Sequence, residues 1–217
     1  EKYRIMIPPA SHSAFIVSRE SIRRDALEFF DRECQAAVEG KARPVGFELS
    51  FGMPLNSENK AWLESEKPVS FAIDNGARIN LKGRLDRVDE NDEGVVIWDY
   101  KTGSARDYQP GGARYDQALL QLAIYKFAVS RMLQDKGDPR KVIESGLYFP
   151  TVAGQGQRIT LDSAQEEEII KSRLDGLFDF LVSGSFPADT SMCPDCNAKN
   201  ICPYAAMPAV SQEKGDE

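Results

Sequence analysis

Gly83-Arg-Leu-Asp-Arg-Val-Asp89, a turn at Asn91-Asp-Glu-Gly94, and Val95-Val-Ile-Trp-Asp-Tyr-Lys-Thr-Gly103 decide how this chain folds. The apolar run from Val95 to Trp98 and the polar turn before it predict two neighbouring antiparallel strands. Residues two apart on a strand share a face, so Asp99 and Lys101 project together while Trp98 and Tyr100 face the other way. A hairpin brings Asp86 beside them. Two carboxylates and one backbone carbonyl, that of Tyr100, make a hard oxygen site suited to Mg²⁺ or Mn²⁺, whereas zinc prefers nitrogen or sulfur. With an ammonium group alongside, the set is suited to phosphodiester hydrolysis. The cation polarises a phosphoryl oxygen and acidifies water, and Lys101 orients that water, accepts its proton or stabilises developing charge. A lone Asp-x-Lys reads better as exposed strand charges joined across a hairpin, because the pattern is short and common. The pieces in series are more specific than any one of them.

Working outward, Ile22, Ala26, Leu27, Phe30, Cys34 and Val38 recur at helical spacing from Ser18 to about Glu39, which predicts an amphipathic helix with Cys34 in its buried stripe. Val45-Gly-Phe-Glu-Leu-Ser-Phe51 alternates, with Val45, Phe47, Leu49 and Phe51 on one face and Glu48 on the other. Residues 53–68 read as a connection, followed by strand-like segments around 69–73, 77–89 and 94–101, an antiparallel meander. Ala105 to Arg114, with Pro110-Gly-Gly112 and the cations Arg106 and Arg114, reads as a mobile loop. A helix from about Tyr115 to Gln134 places Gln117, Gln121 and Tyr125 on one stripe. Ile143 to Phe149 predicts a strand, and Ser163 to Val182 an amphipathic helix ended by Gly184 and Pro187. This order is an α/β plan. Two regions are expected: residues 1–190 and a cysteine-rich segment with tail at 191–217.

The 217 residues are 41% hydrophobic, enough for one core. No apolar run approaches the ~18 residues of a membrane span. A net charge of −7 argues against a protein that grips nucleic acid by its overall field, although bound cations and the acidic runs Glu166-Glu167-Glu168 and Glu213–Glu217 account for part of it. No phosphate-binding Gly-x-x-x-x-Gly-Lys-Ser/Thr loop is present, so any nucleotide-driven motor lies elsewhere. Cys193-Pro-Asp-Cys196 followed by Cys202 places three thiols close enough in sequence to share a metal centre that needs a fourth ligand, and zinc suits such a set.

Gly-x-x-Asp-x-x-Asp, Asp-x-Lys-Thr-Gly and Gln-x-x-x-Tyr in series resemble the PD-(D/E)XK nuclease superfamily and, within it, the RecB-like domains of AddB-type helicase–nucleases, over roughly residues 18 to 204. The resemblance implies an α/β, restriction-endonuclease-like core, a mixed sheet flanked by helices. By it, Asp86 and Asp99 match the metal-binding acids, Lys101 the catalytic lysine, and Gln121 with Tyr125 the motif that contacts DNA or steadies the site. Glu48 sits where relatives often carry another acid, and a solvent-facing strand glutamate is the equal alternative. The implied activity is Mg²⁺- or Mn²⁺-dependent cleavage of DNA, exonucleolytic, in recombinational repair beside a helicase, in the bacterial cytosol. A catalytically silent DNA-binding module of the same fold and a zinc-stabilised interaction domain are the alternatives. The resemblance further implies that Cys193, Cys196 and Cys202 belong to a [4Fe–4S] set whose fourth cysteine lies upstream of Glu1, with Cys34 as substitute. One departure stands out: these domains carry a metal-binding histidine on an upstream helix, and the only histidine, His12, is expected in a loop before the first helix.

Overall fold

Ser11 opens the first helix: its side chain accepts a hydrogen bond from the Ala14 amide at 3.1 Å, and Gly40 closes the helix in the left-handed region at φ 65°. The structure is a computed structural model that describes residues 10–40, 42–54, 62–73, 76–160, 166–185, 193 and 196–203. Helix α1 (His12–Glu39) leads into β1 (Arg43–Phe51), the hairpin β2 (Val69–Ala72) and β3 (Arg78–Leu81), then β4 (Gly83–Asn91) and β5 (Gly94–Tyr100). A 3₁₀ turn (Ala105–Tyr108) precedes α2 (Tyr115–Asp135), β6 (Val142–Phe149), β7 (Gln157–Thr160) and α3 (Glu166–Ser183). The expected start of α3 at Ser163, part of the 53–68 connection and the acidic tail lie outside the described residues. Chain contacts gather into two compact units, Glu1–Arg173 and Leu174–Glu217.

Five strands form one sheet in the order β1-β4-β5-β6-β7, and β2 with β3 forms a second, two-stranded sheet. All neighbours in the larger sheet are antiparallel except β5 and β6, which run parallel because α2 carries the chain back between them. The sheet is therefore mixed and the fold α/β. Asn91 makes the β4–β5 turn by accepting from the amides of Glu93 and Gly94 at 2.9 and 3.0 Å. Gly94 has φ 156°, and a Cβ there would stand 2.3 Å from the Lys141 carbonyl.

The core lies between the sheet and α2. Val88, Val95 and Ile97 pack with Ala128, Val129, Met132 and Leu133. On the other face, α1 meets the sheet through polar and aromatic groups: Glu33 pairs with Arg87 at 2.7 Å, Phe29 stands edge-on to Tyr100, and Asp25 accepts from the Val152 amide. Arg158 stacks over Trp98 and Tyr148 on the same face.

Four expectations need correction. Helix α1 starts at His12, so this histidine is an exposed first-turn residue and not a loop residue. The apolar stripe of α1 faces outward, with Ile22 68%, Phe30 62% and Val38 88% exposed, and Cys34 is exposed with it. Periodicity reveals a stripe but not the side it faces, and here the ion pairs of Glu33 take the inner side. In β1, Glu48 adopts φ 52°, which breaks the alternation: Phe47 is exposed while Leu49, Ser50 and Phe51 are buried in succession. The 105–114 segment is a defined turn, since Gly112 and Arg114 donate to the carbonyls of Gln109 and Asp107 and the Tyr108 ring packs on Phe149 at 5.3 Å. Strand β7 carries no alternating pattern in its sequence, Ile159 being its one apolar residue.

Ile97 is fully buried at the centre of β5. Ile97→Ala should cost about 2–5 kcal/mol of stability, read from urea unfolding midpoints, because the surrounding core cannot collapse onto the lost volume.

Candidate active site

Strands β4 and β5 pair from Asn91↔Gly94 to Arg87↔Trp98, and the ladder stops there. The next step of the register would set Asp86 opposite Asp99. Instead Asp86 Oδ2 accepts the Tyr100 amide at 2.8 Å, replacing a backbone acceptor with a carboxylate. The strands part at the point where the two acids stand. Between Phe47↔Arg87 and Leu49↔Leu85, Glu48 stands across from Asp86 on the other neighbouring strand. Its carboxylate is exposed and lies 3.6 Å from Arg84.

Asp99 is 3% exposed. Gln121, from α2, donates through Nε2 to Asp99 Oδ1 at 2.9 Å and to the Tyr125 hydroxyl at 3.1 Å. Lys101 Nζ donates to Gln121 Oε1 at 3.4 Å and forms an ion pair with Asp99 Oδ2. Apart from the Lys101 ammonium, Oδ2 is buried with no hydrogen-bond partner. Burial raises the Asp99 carboxyl above its usual 3.8; Lys101 opposes the rise and the Asp86 charge adds to it. Burial also raises the Tyr125 phenol above 10.0, Gln121 opposes this, and the charges of Asp99, Asp86 and Glu48 add to the rise. All three carboxylates therefore act on the Tyr125 hydroxyl.

The structure thus brings together Asp86, Asp99, Lys101, Gln121 and Tyr125, with Glu48 at the margin. Gln117 is exposed one turn earlier on α2. The Tyr100 backbone borders the site, while its ring lies on the rear face against Phe29 and Tyr148. Among the described residues no group of three or more His, Cys, Asp or Glu side chains could hold a metal, so Asp86 and Asp99 are the two acids considered as ligands, with Glu48 across from Asp86 at the margin. The pair still fits a hard divalent cation: its donors are oxygens, two carboxylates share the space, and one buried Asp99 oxygen has no hydrogen-bond partner apart from the Lys101 ammonium. Cys193, Cys196 and Cys202 are half-buried free thiols, and among the described residues they form no such group.

The rear of these strands holds a buried charge cluster that the local pattern does not single out. Arg87, 3% exposed, donates to Asp89, to Glu33 and, at 3.0 Å, to the Tyr100 hydroxyl. Burial opposes its charge, but the bonds to Asp89 and Tyr100 outweigh that and hold it protonated. The signal was present, since Arg87 alternates with Asp86 and so must face the opposite side.

A model of the PD-(D/E)XK nuclease superfamily matches residues 4–203. An ATP-dependent helicase/deoxyribonuclease subunit from Symbiobacterium thermophilum is 33% identical over 138 residues, 59% of this chain and 11% of that protein. The corresponding protein of Thermoanaerobacter pseudethanolicus is 31% identical over 142 residues, 62% of this chain and 11% of that protein. This chain spans about a tenth of the length of these curated relatives. The crystal structure of SSO0001 is similar with a TM-score of 0.40 at 17% identity, over 85% of this chain and 70% of that one.

Because its folded carboxyl is raised, Asp99 contributes stability that is present below about 3.8 and lost as pH rises through the raised value. In chelator, the stability of wild type relative to Asp99→Asn should therefore fall between acid and neutral pH in urea unfolding. Mg²⁺ at neutral pH should raise the thermal midpoint of wild type and leave that of Asp99→Asn unchanged.

Proposed function

Because the chain belongs to the PD-(D/E)XK nuclease superfamily, we propose that it is a divalent-metal-dependent deoxyribonuclease. It is related to the nuclease region of AddB-type helicase–nuclease proteins. The observation that carries the proposal is the pairing of Asp86 and Asp99 at parted strands, with a buried Asp99 oxygen that faces the Lys101 ammonium.

Asp86, Asp99 and the Tyr100 carbonyl would hold Mg²⁺ or Mn²⁺. When bound, the cation would polarise a phosphoryl oxygen and acidify a water. Lys101, held between Asp99 and Gln121 as a donor, stabilises the charge that grows on the phosphate as water adds and the ester P–O bond breaks. Gln121 keeps both groups in register, since it donates to Asp99 and accepts from Lys101. Tyr125 locks the Gln121 amide from behind. Glu48, across from Asp86 and paired with Arg84, is the further acid of the site.

DNA is the substrate and a helicase the working partner, in repair of DNA ends; the support for both is the relatives' description as helicase/deoxyribonuclease subunits. Exonucleolytic action belongs to the same reading. Residues 1–190 form the nuclease domain, and 191–217 carry the thiols for a [4Fe–4S] or zinc centre completed by a ligand from outside that segment.

The test is degradation of end-labelled linear DNA, single- and double-stranded, with Mg²⁺, Mn²⁺ or chelator. Cleavage should require the metal, disappear in Asp99→Ala, and fall about 100-fold or more in Lys101→Ala. A chain that binds DNA but never cuts it is the silent module instead. Glu48 at φ 52° is strained. Glu48→Gly should raise stability by on the order of 1 kcal/mol while slowing cleavage, the pattern of strain held for function.

A further inference from the structure

Past the last ladder pair, Arg87↔Trp98, side-chain bonds on both faces of the sheet span the gap between Asp86 and Asp99. On the front face, Asp86 holds the Tyr100 amide at 2.8 Å. On the rear face, the residue after Asp86 reaches the residue after Asp99: Arg87 Nη1 donates to the Tyr100 hydroxyl at 3.0 Å. Both partners of this rear clamp are themselves held. Glu33 of α1 and Asp89 anchor the guanidinium, and the Tyr100 ring lies 5.8 Å from both Phe29 and Tyr148. Arg87 is buried, so its side chain has little freedom to relocate.

We infer that Arg87 and Tyr100 are positioning residues that set the separation of Asp86 and Asp99 from the opposite face of the sheet, and with it the affinity for the divalent cation. The inference rests on the nuclease reading above. Each peptide that carries a carboxylate is followed by a side chain tied to its counterpart across the gap. Loosening the rear tie lets the strands part further, so the acids no longer present their oxygens to one ion. Groups that orient metal ligands without touching the metal commonly change its affinity by about 10- to 100-fold when removed. Helix α1 joins this device through Glu33, which gives a helix with a polar inner face a defined task.

The test uses the whole 217-residue chain. Mn²⁺ binding without DNA is titrated by electron paramagnetic resonance, alongside the Mg²⁺ dependence of DNA cleavage, for wild type, Tyr100→Phe, Arg87→Lys and Arg140→Met. Arg140→Met is the control, because it removes ion pairs to Glu90 and Asp138 near the other end of β4. Tyr100→Phe should weaken Mn²⁺ binding about 10-fold with its thermal midpoint near wild type, and excess Mg²⁺ should restore the cleavage rate. Arg87→Lys, which keeps a donor, should lie between the two, and Arg140→Met should match wild type. Wild-type affinity in Tyr100→Phe, or an equal loss in Arg140→Met, overturns the inference. A wild type that binds Mn²⁺ but leaves DNA intact overturns the nuclease reading alone, and the titration still decides the clamp. A wild type without Asp99-dependent Mn²⁺ binding overturns both.

Discussion

Asp86 takes the Tyr100 amide where the β4–β5 ladder would have placed a backbone carbonyl, and the character of the site follows from that exchange. A ladder continued by one residue would set two carboxylates directly opposite each other, where like charges repel. Ending it at Arg87↔Trp98 opens the strands beneath Asp86 and Asp99 while the rest of both strands stays paired. The opening is local because Val88, Val95 and Ile97 hold the remainder of the hairpin against α2.

That arrangement divides the sheet chemically. One face carries aliphatic residues and then, toward Asp99, the acids with Lys101 and Gln121; the other carries Trp98, Tyr100 and Tyr148 with Arg87 and Arg158. Buried charge appears on both faces but is balanced differently. Behind the strands, Arg87 is satisfied by two acids and a phenol, so the charges there hold structure. In front, two carboxylates share one ammonium, and burial together with the Asp86 charge raises the Asp99 carboxyl despite Lys101, so the charges there are only partly compensated. The left-handed backbone at Glu48 adds strain on the same side. Partly compensated charge and strain collected at one place are what a site for a cation and a substrate would contain.

Much of this was legible in the residues. The hairpin, the pairing of Asp99 with Lys101 on one face and the approach of Gln121 and Tyr125 from the following helix all follow from periods of 2 and 3.6, which act locally and do not depend on what lies across the core. What misled was equally local. Helix α1 shows a regular apolar stripe, yet Ile22, Phe30 and Val38 face outward because Glu33 and Phe29 find partners on the sheet. The alternation of β1 fails at a single backbone angle that Glu48 adopts against its own preference.

The sequence by itself determined which residue types could form a cation site, their faces on each strand and helix, and the α/β plan, since these depend on composition and repeat. Only the tertiary structure decided that β4 and β5 part at Asp86, that Arg87 reaches Tyr100 behind them, that α1 turns its polar side inward and that β7 extends the sheet. Each of those depends on partners separated along the chain, Arg87 and Glu33 by 54 residues, and local patterns carry no record of such pairings.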